Sequence, residues 1–158
     1  MYLKGTKNEY EGLFVNDEDK EFVTLGKYLY GGCDIYFAEA LHRVIGLRKC
    51  TIHSRHAGSG EGPGGEFATL CECCLDSSFN FVDARGVIPR DDDSTFLEPY
   101  GDWDFSEDDV AIVLDCSYWE TFSEHLNDAS KELLSIAEKW IKRHPELYGK
   151  PQRASANN

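Results

Sequence analysis

Gly31 to Gly46, GGCDIYFAEALHRVIG, is the stretch whose reading sets the fold. From Cys33 onward the apolar residues recur at helical spacing, with Tyr36, Phe37, Ala40, Leu41, Val44 and Ile45 on one side. Gly31 and Gly32 supply the backbone freedom for a sharp entry, and Gly46 stands where a left-handed C-terminal cap is expected. The spacing therefore predicts a helix that starts at Cys33 and buries one face. A thiol at that end lies at the positive pole of the helix dipole and is drawn toward the thiolate, while Asp34 beside it opposes the effect. Two roles fit: a small buried cysteine at a crowded helix end, or a nucleophile carried at a helix N-terminus.

On the N-terminal side, Tyr2, Tyr10 and Phe14 are scattered through residues 1–15 without clear periodicity, as in an edge strand or a packed arm. Asn16, followed by Asp17, Glu18 and Asp19, has the character of an N-cap with acids in the first turn. Phe22, Val23, Leu25 and Leu29 then read as one face of a short helix.

On the C-terminal side, Lys49 to Arg55 reads as a short strand and AGSGEGPGGE as turn chemistry. Phe67 to Leu75 predicts a longer strand, on which Cys71 and Cys73 share a face and Cys74 points away. Asp76, Ser77 and Ser78 turn the chain into Phe79 to Ala84, whose alternation places Phe79, Phe81 and Asp83 on one side and Asn80 and Val82 on the other. A short helix is expected near Thr95 to Tyr100, and Val110 to Leu114 is either a buried strand or a helix start. Asn127 opens the longest helical pattern, with an apolar stripe of Ala129, Leu133, Leu134, Ile136, Ala137, Trp140 and Ile141. The expected architecture is α+β: the Cys33 helix packed on a small antiparallel sheet of three strands, with the long C-terminal helix covering a face. A single domain spans 1–149, and 150–158 reads as a flexible tail.

At 158 residues, 41% of them hydrophobic, the chain can bury a core of its own. Its net charge of -13 argues against direct nucleic-acid binding, which needs clustered Lys and Arg. The acid is concentrated in Asp91, Asp92, Asp93, Glu98, Asp102, Asp104, Glu107, Asp108 and Asp109, with Trp103 among them and no Lys or Arg between the first and the last. Such a run is a solvated loop or a negative face that docks on a basic protein. Six cysteines without the spacing of a secreted framework, and an N-terminus lacking an apolar signal core, lead to the expectation of a reducing cytoplasm. No run approaches the length of a membrane span. Cys50, His53 and His56 have ligand-like spacing, yet C-x-C-C at Cys71 to Cys74 is not a usual zinc knuckle, so no metal is expected. GSGEGPGG lacks the Lys-Ser/Thr ending of a phosphate loop, and no cofactor is expected.

The order Cys33, then His53 and His56, then Asp83 is that of a cysteine hydrolase with a base and an orienting acid. GGCDIYFAEALHRVIG followed by FVDARGV resembles small bacterial and phage proteins with a papain-like, NlpC/P60-like arrangement. The likeness covers about residues 28–90. It implies Cys33 as nucleophile and Asp83 as orienter, but places Glu66 where the histidine base belongs. A glutamate needs a large upward pKa shift to serve as base at neutral pH. Two functions follow as expectations. The first is an acidic intracellular inhibitor encoded by a phage or mobile element, which blocks a basic nucleic-acid-handling surface of a host defence complex, as an anti-CRISPR would. The alternative is a papain-like hydrolase or acyltransferase built on Cys33, His53 or His56, and Asp83.

Overall fold

The computed structural model describes residues 2–16, 22–54, 68–100, 110–114 and 126–149. The elements run α1 (Lys7–Glu11), a 3-10 turn (Leu25–Tyr28), α2 (Asp34–Ile45), β1 (Arg48–Ser54), β2 (Ala68–Leu75), β3 (Phe81–Asp83), β4 (Gly86–Ile88), α3 (Asp93–Leu97), a second 3-10 turn (Glu98–Tyr100), β5 (Val110–Leu114), α4 (Asp128–Arg143) and α5 (Pro145–Tyr148). The fold is α+β. Its sheet is antiparallel and five-stranded rather than three-stranded, in the order β4-β3-β2-β1-β5.

Both long helices are bounded as their end residues dictate. Cys33 is the N-cap of α2, and Gly46 closes it at φ 76° with its N–H on the His42 carbonyl. His42 Nδ1 lies 2.8 Å from the Leu47 carbonyl, which places this histidine at the helix end. Asn127 caps α4 through its side-chain oxygen, which accepts from the Ser130 N–H at 2.8 Å. Such a cap contributes about 1 kcal/mol.

Helix α2 is the middle layer. Phe37, Ala38, Leu41 and Ile45 share one buried cluster with Cys74 and Val82 of the sheet and with Leu134, Ala137, Trp140 and Ile141 of α4. Tyr28 Oη donates to the Leu133 carbonyl at 2.6 Å, tying the first 3-10 turn to α4. The opposite face of the sheet carries a second cluster, Cys50, Ile52, Cys71, Cys73, Leu75, Phe81 and Ile88, covered by Phe96 and Leu97. Cys71 and Cys73 therefore do share a face, and Cys74 sits on the other. The β1–β2 register passes from Ile52 opposite Cys71 to His53 opposite Thr69, an irregularity of the bulge kind.

Of the two readings of Val110 to Leu114, the strand is the one found, paired with β1. Other segments differ from the sequence reading. Phe79 does not belong to β3: it sits at φ 61° in the turn after Asp76, whose carboxylate accepts from the Ser78 and Asn80 N–H groups at 2.9 Å each. Of the helix anticipated after Asn16, the described part is only the 3-10 turn. Asn16 instead accepts from the Val23 N–H at 2.8 Å, and Phe14 bridges Thr24. The N-terminal arm contains α1, closed by a Thr6/Glu9 capping box.

Two distant parts of the chain meet at the β3–β4 turn. Leu3 N donates to the Arg85 carbonyl at 2.8 Å, and Tyr148 Oη, itself accepting from Trp140 Nε1, donates to the Ala84 carbonyl.

Candidate functional site

Cys33 is half-buried, and its backbone N–H donates to the Lys27 carbonyl at 3.2 Å. Burial pushes its thiol up, Asp34 adds to that, and Lys27 opposes it. Among the described groups, those that raise the Cys33 thiol outweigh the one that lowers it, which works against the pull of the helix end toward the thiolate. Among the described residues, neither His53 nor Asp83 is one of the groups acting on it. His53 lies within β1, opposite Thr69 on one side and Ala111 on the other. His56 and Glu66 lie outside the described residues. Iodoacetamide should therefore alkylate Cys33 no faster than an ordinary exposed thiol between pH 6 and 8, and His53→Ala should leave the rate unchanged. Peptide mass spectrometry reads both.

Asp83 is fully engaged. Both of its oxygens receive Arg85 Nε at 3.2 Å, Oδ2 also takes Arg85 Nη2 at 2.7 Å and Tyr100 Oη at 2.8 Å, and Oδ1 takes the Arg85 N–H at 2.9 Å. Arg85 goes on to donate to the Thr95 carbonyl at 2.9 Å and the Phe96 carbonyl at 2.6 Å. The two side chains are 3% and 2% exposed, so the pair is withdrawn from water. In this arrangement the Asp83 carboxylate holds the β3–β4 turn to α3, a structural task for the residue anticipated as an orienting acid.

Two acids complete the cluster. The Asp34 carboxylate accepts from the Glu72 N–H at 2.6 Å, linking the first turn of α2 to β2. Burial pushes its pKa up to about 6, against opposing hydrogen bonds from backbone N–H groups and with a further rise from Asp83. Glu72 is buried on the α2 side of the sheet, with Thr51 Oγ1 donating to it at 2.6 Å. Burial raises it to about 7, Thr51 lowers it, and the Asp34 charge raises it again. Both carboxyl groups hold their protons to a higher pH than an exposed acid does. Sequence reasoning passed over Glu72. The available signal was a single acid in the otherwise apolar and cysteine-rich strand TLCECCL.

Of the acidic section, Asp91 and Glu98 are exposed. Asp92 is partly buried and takes Thr95 Oγ1 at 2.7 Å and Tyr2 Oη at 3.3 Å, so it braces α3. Asp93 begins α3, whereas Asp102, Trp103, Asp104, Glu107, Asp108 and Asp109 lie outside the described residues. Among the described residues no group of three or more His, Cys, Asp or Glu side chains is arranged to hold a metal ion, and no helix is long and apolar enough to cross a membrane. Compared with protein-family models, with curated proteins and with solved structures, the chain matches none of them.

Proposed function

We propose that this chain is an acidic binding protein whose negative section occupies a basic protein surface of the kind built to hold nucleic acid. The observation that carries this reading is the net charge of -13 together with the one-signed run from Asp91 to Asp109. Carboxylates gathered without intervening cations produce a field that steers a basic partner into register. Further support comes from how the start of that run is mounted. Arg85, buried against Asp83, holds the Thr95 and Phe96 carbonyls, so Asp91 and Glu98 are presented on a fixed base and less ordering entropy is lost on binding. An inhibitor of a nucleic-acid-handling defence complex, of the anti-CRISPR kind and carried by a phage or mobile element, is the member of this class that the size and charge suit.

The test is kinetic. Once a partner is purified, association should slow at least tenfold between about 50 and 500 mM salt, as expected for screened steering. Asp91→Lys combined with Glu98→Lys should slow it comparably at low salt, while dissociation changes little. Association indifferent to both salt and charge reversal would remove the proposal.

The alternative, a papain-like hydrolase or acyltransferase using Cys33, His53 or His56, and Asp83, is favoured by one observation, the position of Cys33 at the N-cap of α2. The alkylation experiment separates the two: a fast Cys33 slowed by His53→Ala or His56→Ala belongs to the hydrolase.

A further inference from the structure

Cys50 and Cys73 face each other across β1 and β2. Their sulfurs lie 3.2 Å apart, and the residues are 0% and 1% exposed. Directly opposed residues of antiparallel strands have Cα atoms about 4.5–5.5 Å apart, inside the range of about 4.4–6.8 Å that a disulfide spans. Bond formation therefore needs the two sulfurs to approach from 3.2 Å to about 2.05 Å. Cys71, on the same face, stands opposite Ile52 rather than Cys50, so the register selects Cys73 as the partner.

We propose that Cys50 and Cys73 form a redox pair that closes into a β1–β2 disulfide when the protein meets an oxidant of the hydroperoxide class. One sulfur attacks the peroxide oxygen and becomes a sulfenic acid, releasing water. The second thiol attacks that sulfur and releases a second water. Two thiols and one peroxide thus give one disulfide and two waters, the peroxide being reduced by two electrons. Peroxide is small enough to reach the pair through local opening of the strands. In a glutathione-reduced compartment the two remain thiols. The bond would span the connection through residues 55–67 and restrict it in the unfolded chain, which is where a disulfide acts.

The folded chain is treated with hydrogen peroxide, its remaining thiols are blocked with N-ethylmaleimide in denaturant, and its peptides are mapped without reduction. The expected product has Cys50 joined to Cys73, located by fragment spectra of the wild type. The same link should survive Cys71→Ala and vanish in Cys73→Ala. The oxidised protein should show an unfolding equilibrium constant lowered on the order of a hundredfold, reversed by dithiothreitol. Cys50 joined to Cys71 in the wild type, or Cys50 still free once peroxide has oxidised other thiols, overturns the proposal.

Discussion

Arg85→Ala should lower folding stability by about 3–5 kcal/mol, the cost of leaving one partner of a buried ion pair behind. The reason is what remains: the Asp83 carboxylate would keep Tyr100 Oη and the residue 85 N–H but lose every guanidinium contact, at 3% side-chain exposure. The Thr95 and Phe96 carbonyls would lose the donors that now reach them at 2.9 and 2.6 Å. Urea unfolding followed by tryptophan fluorescence measures the loss. A double variant, Asp83→Ala with Arg85→Ala, should be less destabilised than the sum of its singles, because no unpaired charge is left inside. A loss under about 1 kcal/mol for Arg85→Ala would mean that the pair does not organise the β3–β4 turn.

The second large effect runs against the usual pH trend. Asp34 and Glu72 have carboxyl groups that burial raises from 3.8 to about 6 and from 4.5 to about 7. Between those limits the unfolded chain has released protons that the folded chain still binds, so stability falls as pH rises. Each group contributes about 3 kcal/mol to that fall. The Asp34 charge raises Glu72 further, so ionisation of Asp34 delays that of Glu72. Below about pH 4.5 Glu39 acts in the opposite sense. Burial pushes it up, but hydrogen bonds from Lys49 and Arg43 outweigh this and hold it below its ordinary value. Its contribution is therefore lost only as pH falls through that lowered pKa. Stability should peak near pH 4, below the rise of both carboxyl groups, and be several kcal/mol lower at pH 8. Glu72→Gln keeps an acceptor for Thr51 and removes the ionisation, so it should flatten the alkaline limb. A parent protein that gains stability from pH 5 to pH 8 would refute this account.

What the sequence made legible was mostly local. Helix α2 was readable because its caps and its apolar face lie within sixteen residues of chain, and α4 because Asn127 announces it. VAIVL was ambiguous for a physical reason: a short, wholly apolar run has no period to separate strand from helix, and its pairing with β1 is a long-range fact. Phe79 read as a strand residue since aromatic alternation outweighed the Asp76 turn, and a bulky residue at positive φ is an outlier. At the site, Asp83 was picked out by its order in the chain, but its use is decided by Arg85 and Tyr100. Glu72 was missed because a strand acid normally marks the solvent face, and only the packing of α2 over β2 makes that face an interior.

The turn at Ala84 to Gly86 is finished by residues far from it on both sides, Leu3 before and Tyr148 after. During synthesis Leu3 is at hand when the turn emerges from the ribosome, but Tyr148 and the α4 stripe beneath it are not. Until they arrive, the face of α2 that α4 will cover is open to water and to chaperones. The growing chain can assemble the hairpin, but the native state is reached only when α5 has been translated, so the hairpin must wait for a segment made some sixty residues after it.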